Sequence, residues 1–177
     1  TAHQLLAAML AEQNDPGARY RVTVITPSVG SDYLRQAIDS VQSQTYPLVE
    51  HVIAADGPKH HQRVAGLLPA GPRHPIHLLP LPFNVGGGGF NGHRVYASVP
   101  YLVHSRFVAF LDEDNWFDAD HIASIMAPIT AQGLSWAYAL RKIVDVEGRF
   151  LANDDCESLG QWPAWNHPRL HVVDTNC

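Results

Sequence analysis

Phe107-Val108-Ala109-Phe110-Leu111-Asp112-Glu113-Asp114-Asn115-Trp116 decides the reading of this chain: an apolar run long enough for one buried strand stops on three consecutive acids. An unbroken apolar run suits a strand covered on both faces, which in a parallel α/β sheet means helices on either side. The carboxyl end of such a strand is a ligand-binding edge. Asp112 and Asp114 are two apart, so an extended backbone beyond Leu111 sets their carboxylates on one side and turns Glu113 to the other. Two hard oxygen ligands suit Mg²⁺ or Mn²⁺, a cation normally held by one or two carboxylates together with the phosphates of a substrate. The same acids also suit a solvated lead-in to a helix, whose dipole favours negative charge at its start.

Upstream, Arg21 to Thr26 reads as a strand, and Pro27-Ser28-Val29-Gly30-Ser31 as the loop into a helix capped by Ser31 or Asp32. That helix carries Leu34, Ala37, Ile38 and Val41 on one face and must finish before Pro47. Glu50 to Ala55 is a second strand, ended by Asp56-Gly57-Pro58, and Gln62 to Leu68 a second helix. Two strand-loop-helix units in succession argue for a parallel sheet. Ile76 to Leu79 is a third strand, and Pro80 and Pro82 mark it as an edge. A third helix is expected from Gly92 to His104 with Val95, Val99 and Leu102 inward. A fourth is capped by Asp118, with Ile122, Ile125, Met126 and Ile129 on one face and a stop near Gly133. Trp136 to Val146 then reads as a strand that turns at Glu147-Gly148 into a hairpin with Arg149 to Ala152. Asn153 to Arg169 is expected to be a functional loop, and Leu170 to Asp174 a last strand.

The chain has 177 residues, 46% hydrophobic and 16% charged, the composition of an ordinary globular domain able to bury a sizeable core. Its formal charge of −5 leaves no basic stripe to follow a phosphate backbone, so nucleic acid is not an expected partner. No apolar run approaches the roughly 20 residues needed to cross a bilayer, and the start lacks a charged-then-apolar signal; a cytoplasmic location is expected. Cys156 and Cys177 lack metal-ligand spacing, and the eleven histidines are scattered. Leu5, Leu6, Met9 and Leu10 give the segment before Asp15-Pro16-Gly17 a short apolar stripe, read as a docking helix. Because the first residue is Thr1 and not Met, the chain is expected to be processed or excised from something longer.

Asn84-Val85-Gly86-Gly87-Gly88-Gly89-Phe90-Asn91-Gly92 contains, in Gly87, Gly89 and Gly92, the spacing of the dinucleotide-binding fingerprint, with Asp112 where that fingerprint carries an acid. An NAD-type oxidoreductase is therefore a rival reading. Three features weigh against it: Pro80 to Asn84 separates the glycines from their strand, the acid belongs to a triple, and the loop sits in the third unit, not the first. A mobile glycine loop beside a ligand needs no such cofactor.

Taken in order, Val22 to Pro27, Leu34 to Gln44 with Tyr46, Glu50 to Gly57, Asn84 to Asn91 and Phe110 to Asp114 resemble the amino-terminal half of a family-two glycosyltransferase of the GT-A fold, over roughly residues 21–122. The resemblance implies a Rossmann-like, mainly parallel α/β sheet with helices on both faces. It also implies an inverting, Mg²⁺- or Mn²⁺-dependent transfer of sugar from a nucleotide-diphospho-sugar donor to a saccharide or other hydroxyl acceptor. Residues 1–19 are then a docking helix and linker, and residues 20–177 the GT-A domain, divided into a donor half (20–122) and a partial acceptor half (123–177) truncated at its carboxyl end.

Position by position, the resemblance puts Thr26 and Pro27 beside the base and ribose, with Ser28 in the same nucleotide-binding set. It puts Asp56 at the edge of the base, Asn91 and Arg94 near the donor, Asp112 on the nucleotide sugar or metal, and Asp114 as principal metal ligand. Ala55, Pro58 and Phe90 depart from the family's acid, serine and arginine; Arg94, one helical turn on, can replace the lost charge. An inverting transfer needs a base, for which Asp154, Asp155, Glu157 and Asp174 are candidates, unless the base lies beyond residue 177. A catalytically silent sugar-nucleotide-binding module is the alternative from a different functional class.

Overall fold

In the computed structural model, residues 20–145 and 147–154 are described. They belong to two compact units, one ending at Ala123 and the other starting at Ser124. The expected amino-terminal helix and the expected strand at 170–174 lie outside the described residues, as do Asp155, Cys156, Glu157, Asp174 and Cys177. No described helix is long and apolar enough to cross a membrane.

The first unit alternates strands and helices: β1 (Val22–Ser28), α1 (Leu34–Gln42), β2 (Val49–Ala55), α2 (His61–Gly66), β3 (Ile76–Pro80), α3 (His93–Ser98) and β4 (Phe107–Phe110). Its four strands lie in the order β3-β2-β1-β4, every pair parallel. The chain therefore adds β2 and β3 on one side of β1, then returns to the other side for β4. The order reverses between β1 and β4, which makes the carboxyl ends of those two strands the switch point where open α/β sheets hold ligands.

Both faces are covered, as a doubly wound sheet requires. On one face Ile25, Val52 and Ala54 meet Val95, Tyr96 and Val99 of the α3 segment. On the other, Ile53 and Ala55 meet Leu34 and Ile38 of α1 and Val64 of α2. The four residues expected on the inner face of α1 are all fully buried. Burying one aliphatic side chain of this size stabilises by about 1.5 to 3 kcal/mol, so this stripe, more than any cap, holds α1 in place.

Several expectations are corrected. β4 is not fully buried: its residues are half-buried at all four positions, it pairs with β1 alone among the described strands, and the fully buried Leu111 lies just past its end. An apolar run reports partial cover on two faces but is silent about how many neighbours the strand has. α1 is capped by neither Ser31 nor Asp32. Asp32 pairs with Arg63 instead. The second helix begins earlier, at His61 after a 3-10 turn over Pro58–His60, and stops at Gly66. In the third, Val95 and Val99 face inward as expected, but α3 gives way to a 3-10 turn at Val99–Tyr101, where Pro100 lacks an amide hydrogen. The tighter turn leaves Leu102 exposed.

α4 (His121–Gln132) starts in the first unit and ends in the second. Gly133, at φ +66°, lets Leu134 N–H reach back to Ile129 O at 3.1 Å, the glycine-terminated stop expected there. Within the second unit, β5 (Arg141–Val144) and β6 (Phe150–Asp154) form the expected antiparallel hairpin, the first strand shorter than expected and the second running on to Asp154. Asp145 closes its turn by accepting the Glu147 and Arg149 amides, and the Arg149 bonds hold its carboxyl below the usual range.

Two buried polar groups tie the first unit together. Gln44 is fully buried; its Nε2 donates to Ser40 O and Asp118 O at 3.0 and 2.7 Å, and its Oε1 accepts Ile122 N–H at 2.9 Å. One amide thus joins the end of α1 to the first turn of α4. Truncating it leaves buried donors and acceptors unmatched, so Gln44→Ala should lower the urea-unfolding free energy by about 1 to 3 kcal/mol.

His51, fully buried on β2, pairs its Nε2 with Thr26 Oγ1 at 2.8 Å, and burial lowers its pKa from 6.5 to about 3. Below about pH 6.5 the unfolded chain binds a proton that the folded chain refuses. The stability that neutral His51 contributes is therefore complete above that pH and is lost as pH falls towards 3. The slope from this group is at most about 1.4 kcal/mol per pH unit. Urea titrations at a series of pH values between 7 and 4 should show a flatter dependence for His51→Gln than for the unaltered chain.

Candidate active site

At the carboxyl edge of the sheet, the loops after β1, β2, β3 and β4 are linked by short contacts. Asp56 N–H donates to Ser28 O at 2.8 Å, joining the ends of β2 and β1. The Asp56 carboxylate, 4% exposed, then accepts Val85 N–H on Oδ1 at 2.6 Å and Gly86 N–H on Oδ2 at 2.8 Å. Asn84 Nδ2 donates to Asp56 O at 2.9 Å. A single aspartate thus holds down the start of the glycine loop. Gly86 O accepts the amides of Phe90 and Asn91 at 3.1 and 3.0 Å and closes the loop on itself.

The glycines have separate reasons to be there. A Cβ on Gly86 would stand 2.4 Å from Asn91 O and 2.8 Å from Asp56 Oδ2, and one on Gly92 would stand 2.7 Å from Pro27 Cγ. Gly88 and Gly89 have φ of +76° and +88°, and Asn91, the one non-glycine with positive φ among the described residues, has +44°. Steric need therefore falls on Gly86 and Gly92, and conformational need on Gly88 and Gly89. The loop follows β3 through three intervening residues, and its amides at 85 and 86 face a carboxylate. That is not the phosphate-binding turn of a first strand-helix unit.

The acids after β4 are arranged by a turn. Asn115 N–H bonds Asp112 O at 3.1 Å, so the backbone does not stay extended past Leu111 and strand alternation does not govern the three side chains. Tyr96 of α3 donates its hydroxyl to Asp112 Oδ1 at 2.5 Å. Glu113 turns towards the β1–α1 loop, accepting Ser28 Oγ–H and Ser31 N–H on Oε2 and Val29 N–H on Oε1. Asp114 is exposed.

Among the residues expected at the site, Ser28, Asp56, Asn91, Arg94 and Asp112 have bonds at this edge, Pro27 lies at the end of β1 beside Gly92, and Asp114 stands in the same turn as Asp112. Thr26 lies on β1, but its hydroxyl is committed to His51 in the interior. Ser28 Oγ accepts Gly30 N–H at 2.9 Å while donating to Glu113. Arg94 Nη1 donates to Val85 O at 3.1 Å, and its guanidinium lies 3.5 Å from the centre of the Phe90 ring. Of the base candidates, Asp154 is buried in a two-pronged ion pair with Arg141 of its own hairpin. Asp155, Glu157 and Asp174 lie outside the described residues. Sequence reasoning missed Tyr96, which carries no motif, and the structural work of Glu113, whose partners are some 80 positions away.

A four-stranded parallel sheet wound on both faces, with a glycine loop held to the end of β2 and an acid turn held to the end of β1, is the arrangement of a GT-A domain. The chain matches glycosyl transferase family 2 over residues 23–175 and belongs to that family. This membership removes the oxidoreductase reading. Its fold is that of S. aureus TarS, with a TM-score of 0.55 at 19% identity over 80% of this chain, in both a crystal structure of TarS and one of TarS 1-349. A crystal structure of TarS 1-349 in complex with UDP-GlcNAc gives 0.52 at the same identity. The chain spans 24% of the first of these chains and 40% of the second. No curated protein matches it.

Because the Gly86 Cβ would press on a backbone carbonyl and on the Asp56 carboxylate, Gly86→Ala should release the loop. Hydrogen exchange at Val85 and Asn91 should then speed up by at least tenfold, with a global loss of about 1 to 3 kcal/mol in urea.

Proposed function

We propose that this chain is the donor-binding part of a metal-dependent, inverting glycosyltransferase that takes a nucleotide-diphospho-sugar, with UDP-GlcNAc the first donor to try. One observation carries the reading. In both loops that could cradle phosphate with backbone amides, the amide hydrogens already belong to carboxylates: Val85 and Gly86 to Asp56, and Val29 and Ser31 to Glu113. A diphosphate arriving at this edge meets fixed negative charge and needs a cation.

The residues present fit one. Asp112 and Asp114 are hard oxygen donors on one turn, and no group of three or more His, Cys, Asp or Glu among the described residues forms a complete cage. That donor set matches a Mg²⁺ or Mn²⁺ shared with the phosphates of a substrate better than one held by protein alone. When bound, such an ion stabilises negative charge on the departing diphosphate. Tyr96 orients Asp112, and Asp56 keeps the glycine loop in place and sits at the end of β2, where the base is read. Pro27 and Asn91 stand at the rim, Ser28 is buried beneath it on Glu113, and Arg94 supplies a second positive charge beside the loop. Asp155, Asp174 and Glu157 are the candidates for the base that receives the acceptor's proton; the ion pair to Arg141 makes Asp154 a poor choice.

Calorimetry with UDP-GlcNAc and Mn²⁺ tests the assignment. Asp114→Asn should remove most of the Mn²⁺-dependent gain in affinity, and Asp112→Asn a smaller part. Equal affinities in the unaltered chain and in Asp114→Asn would contradict the metal role. Asp56→Ala should weaken nucleotide binding by about 1 to 3 kcal/mol with or without metal. Release of UDP on adding an acceptor distinguishes a transferase from a silent binding module, and the anomeric configuration of the product reports inversion.

A further inference from the structure

We propose that Glu113 is a positioning residue of the donor site: it fills, from within the chain, the anion position of the β1–α1 loop and so locks the acid turn across the switch point. The inference rests on the donor-site reading above. Glu113 Oε2 accepts Ser28 Oγ–H at 2.6 Å and Ser31 N–H at 3.1 Å, and Oε1 accepts Val29 N–H at 3.3 Å. Ser28 Oγ takes the remaining amide of the turn, that of Gly30, at 2.9 Å. Three successive amides between a first strand and its helix are the array that holds a phosphate in dinucleotide-binding folds. In this chain a carboxylate and the hydroxyl it orients have taken all three.

Two consequences follow for the donor. A diphosphate is kept out of the β1–α1 loop, both because its hydrogen-bond donors are occupied and because like charges repel there. In addition, Glu113 lies between Asp112 and Asp114, so pinning its side chain to β1 sets where both neighbours stand relative to the nucleotide end of the sheet. Leu111 N–H, bonded to Ile25 O at 3.1 Å, anchors the same turn from its other side.

The test uses the full chain with Glu113→Gln, Glu113→Ala and the control Asp32→Asn, whose exposed ion pair with Arg63 lies on the same loop. Glutamine keeps the length but presents an amide N–H to a cluster of donors. We expect the amide resonances of Val29, Gly30 and Ser31 to move in both Glu113 variants. We also expect the Kd for UDP-GlcNAc with Mn²⁺ to rise about tenfold, the effect of losing one charge-assisted hydrogen bond, with no change in Asp32→Asn. Formate should return the resonances and part of the affinity to Glu113→Ala but not to Glu113→Gln, which a merely structural loss would not do. Should the alanine variant fail to fold, the glutamine variant decides by resonances and Kd. Unmoved resonances, or an unchanged Kd in folded Glu113→Gln, overturn the proposal. If the unaltered chain takes up no nucleotide-sugar while formate still restores the resonances, the donor reading falls and the clasp stands.

Discussion

Where a parallel sheet ends, its ladder of hydrogen bonds runs out and the amides of the following loops need other acceptors. In this chain carboxylates supply them, and the architecture of the site depends on that solution. Asp56 gathers the glycine loop to the end of β2, and Glu113 gathers the β1–α1 loop to the end of β4. Each bond joins an ionised acceptor to a neutral donor inside a partly water-excluded edge, where it is worth more than a neutral pair. The exposed ion pair of Asp32 with Arg63 contributes little by comparison, since solvent screens both partners. Loops separated by tens of residues are thereby held as one surface without a disulfide and without help from long helices.

The features legible in the sequence are those set by periodicity and by local chemistry. Leu34, Ala37, Ile38 and Val41 announce a helix face because a helix repeats every 3.6 residues, and all four are buried. The alternation of strands with helices yields the parallel sheet, and the prolines after Leu79 mark β3 as an edge. Gly133 ends its helix where a left-handed residue is needed. These are short-range facts, and a window of a dozen residues contains them.

What stayed hidden depends on partners distant in the chain. Nothing near Ser31 says that its amide will find Glu113 and not its own side chain. The apolar run at Phe107–Phe110 does not disclose that β4 pairs with β1 alone among the described strands, because pairing is decided by topology. Thr26 carries the polarity expected of a ligand contact, yet its hydroxyl turns inward to His51, a residue equally silent in the sequence. The glycine run read as a fingerprint has its steric demands at Gly86 and Gly92, and of these only Gly92 belongs to the spacing that suggested a dinucleotide. Family membership could be read from motif order, whereas the division of labour within the motifs required geometry.

The stacking of Arg94 on Phe90 has a directional effect. A guanidinium carries its N–H groups in its plane, so a ring against one face leaves the rim of donors pointing sideways. One of those donors is spent on Val85 O, which fixes the rotation of the group about the ring normal. The remaining donors are thus aimed by an aromatic bearing surface and a backbone stop, in a loop whose origin is itself held by Asp56. Lysine at this position would keep the charge but would have neither plane nor bearing. The charge beside the glycine loop is thus given a direction as well as a place.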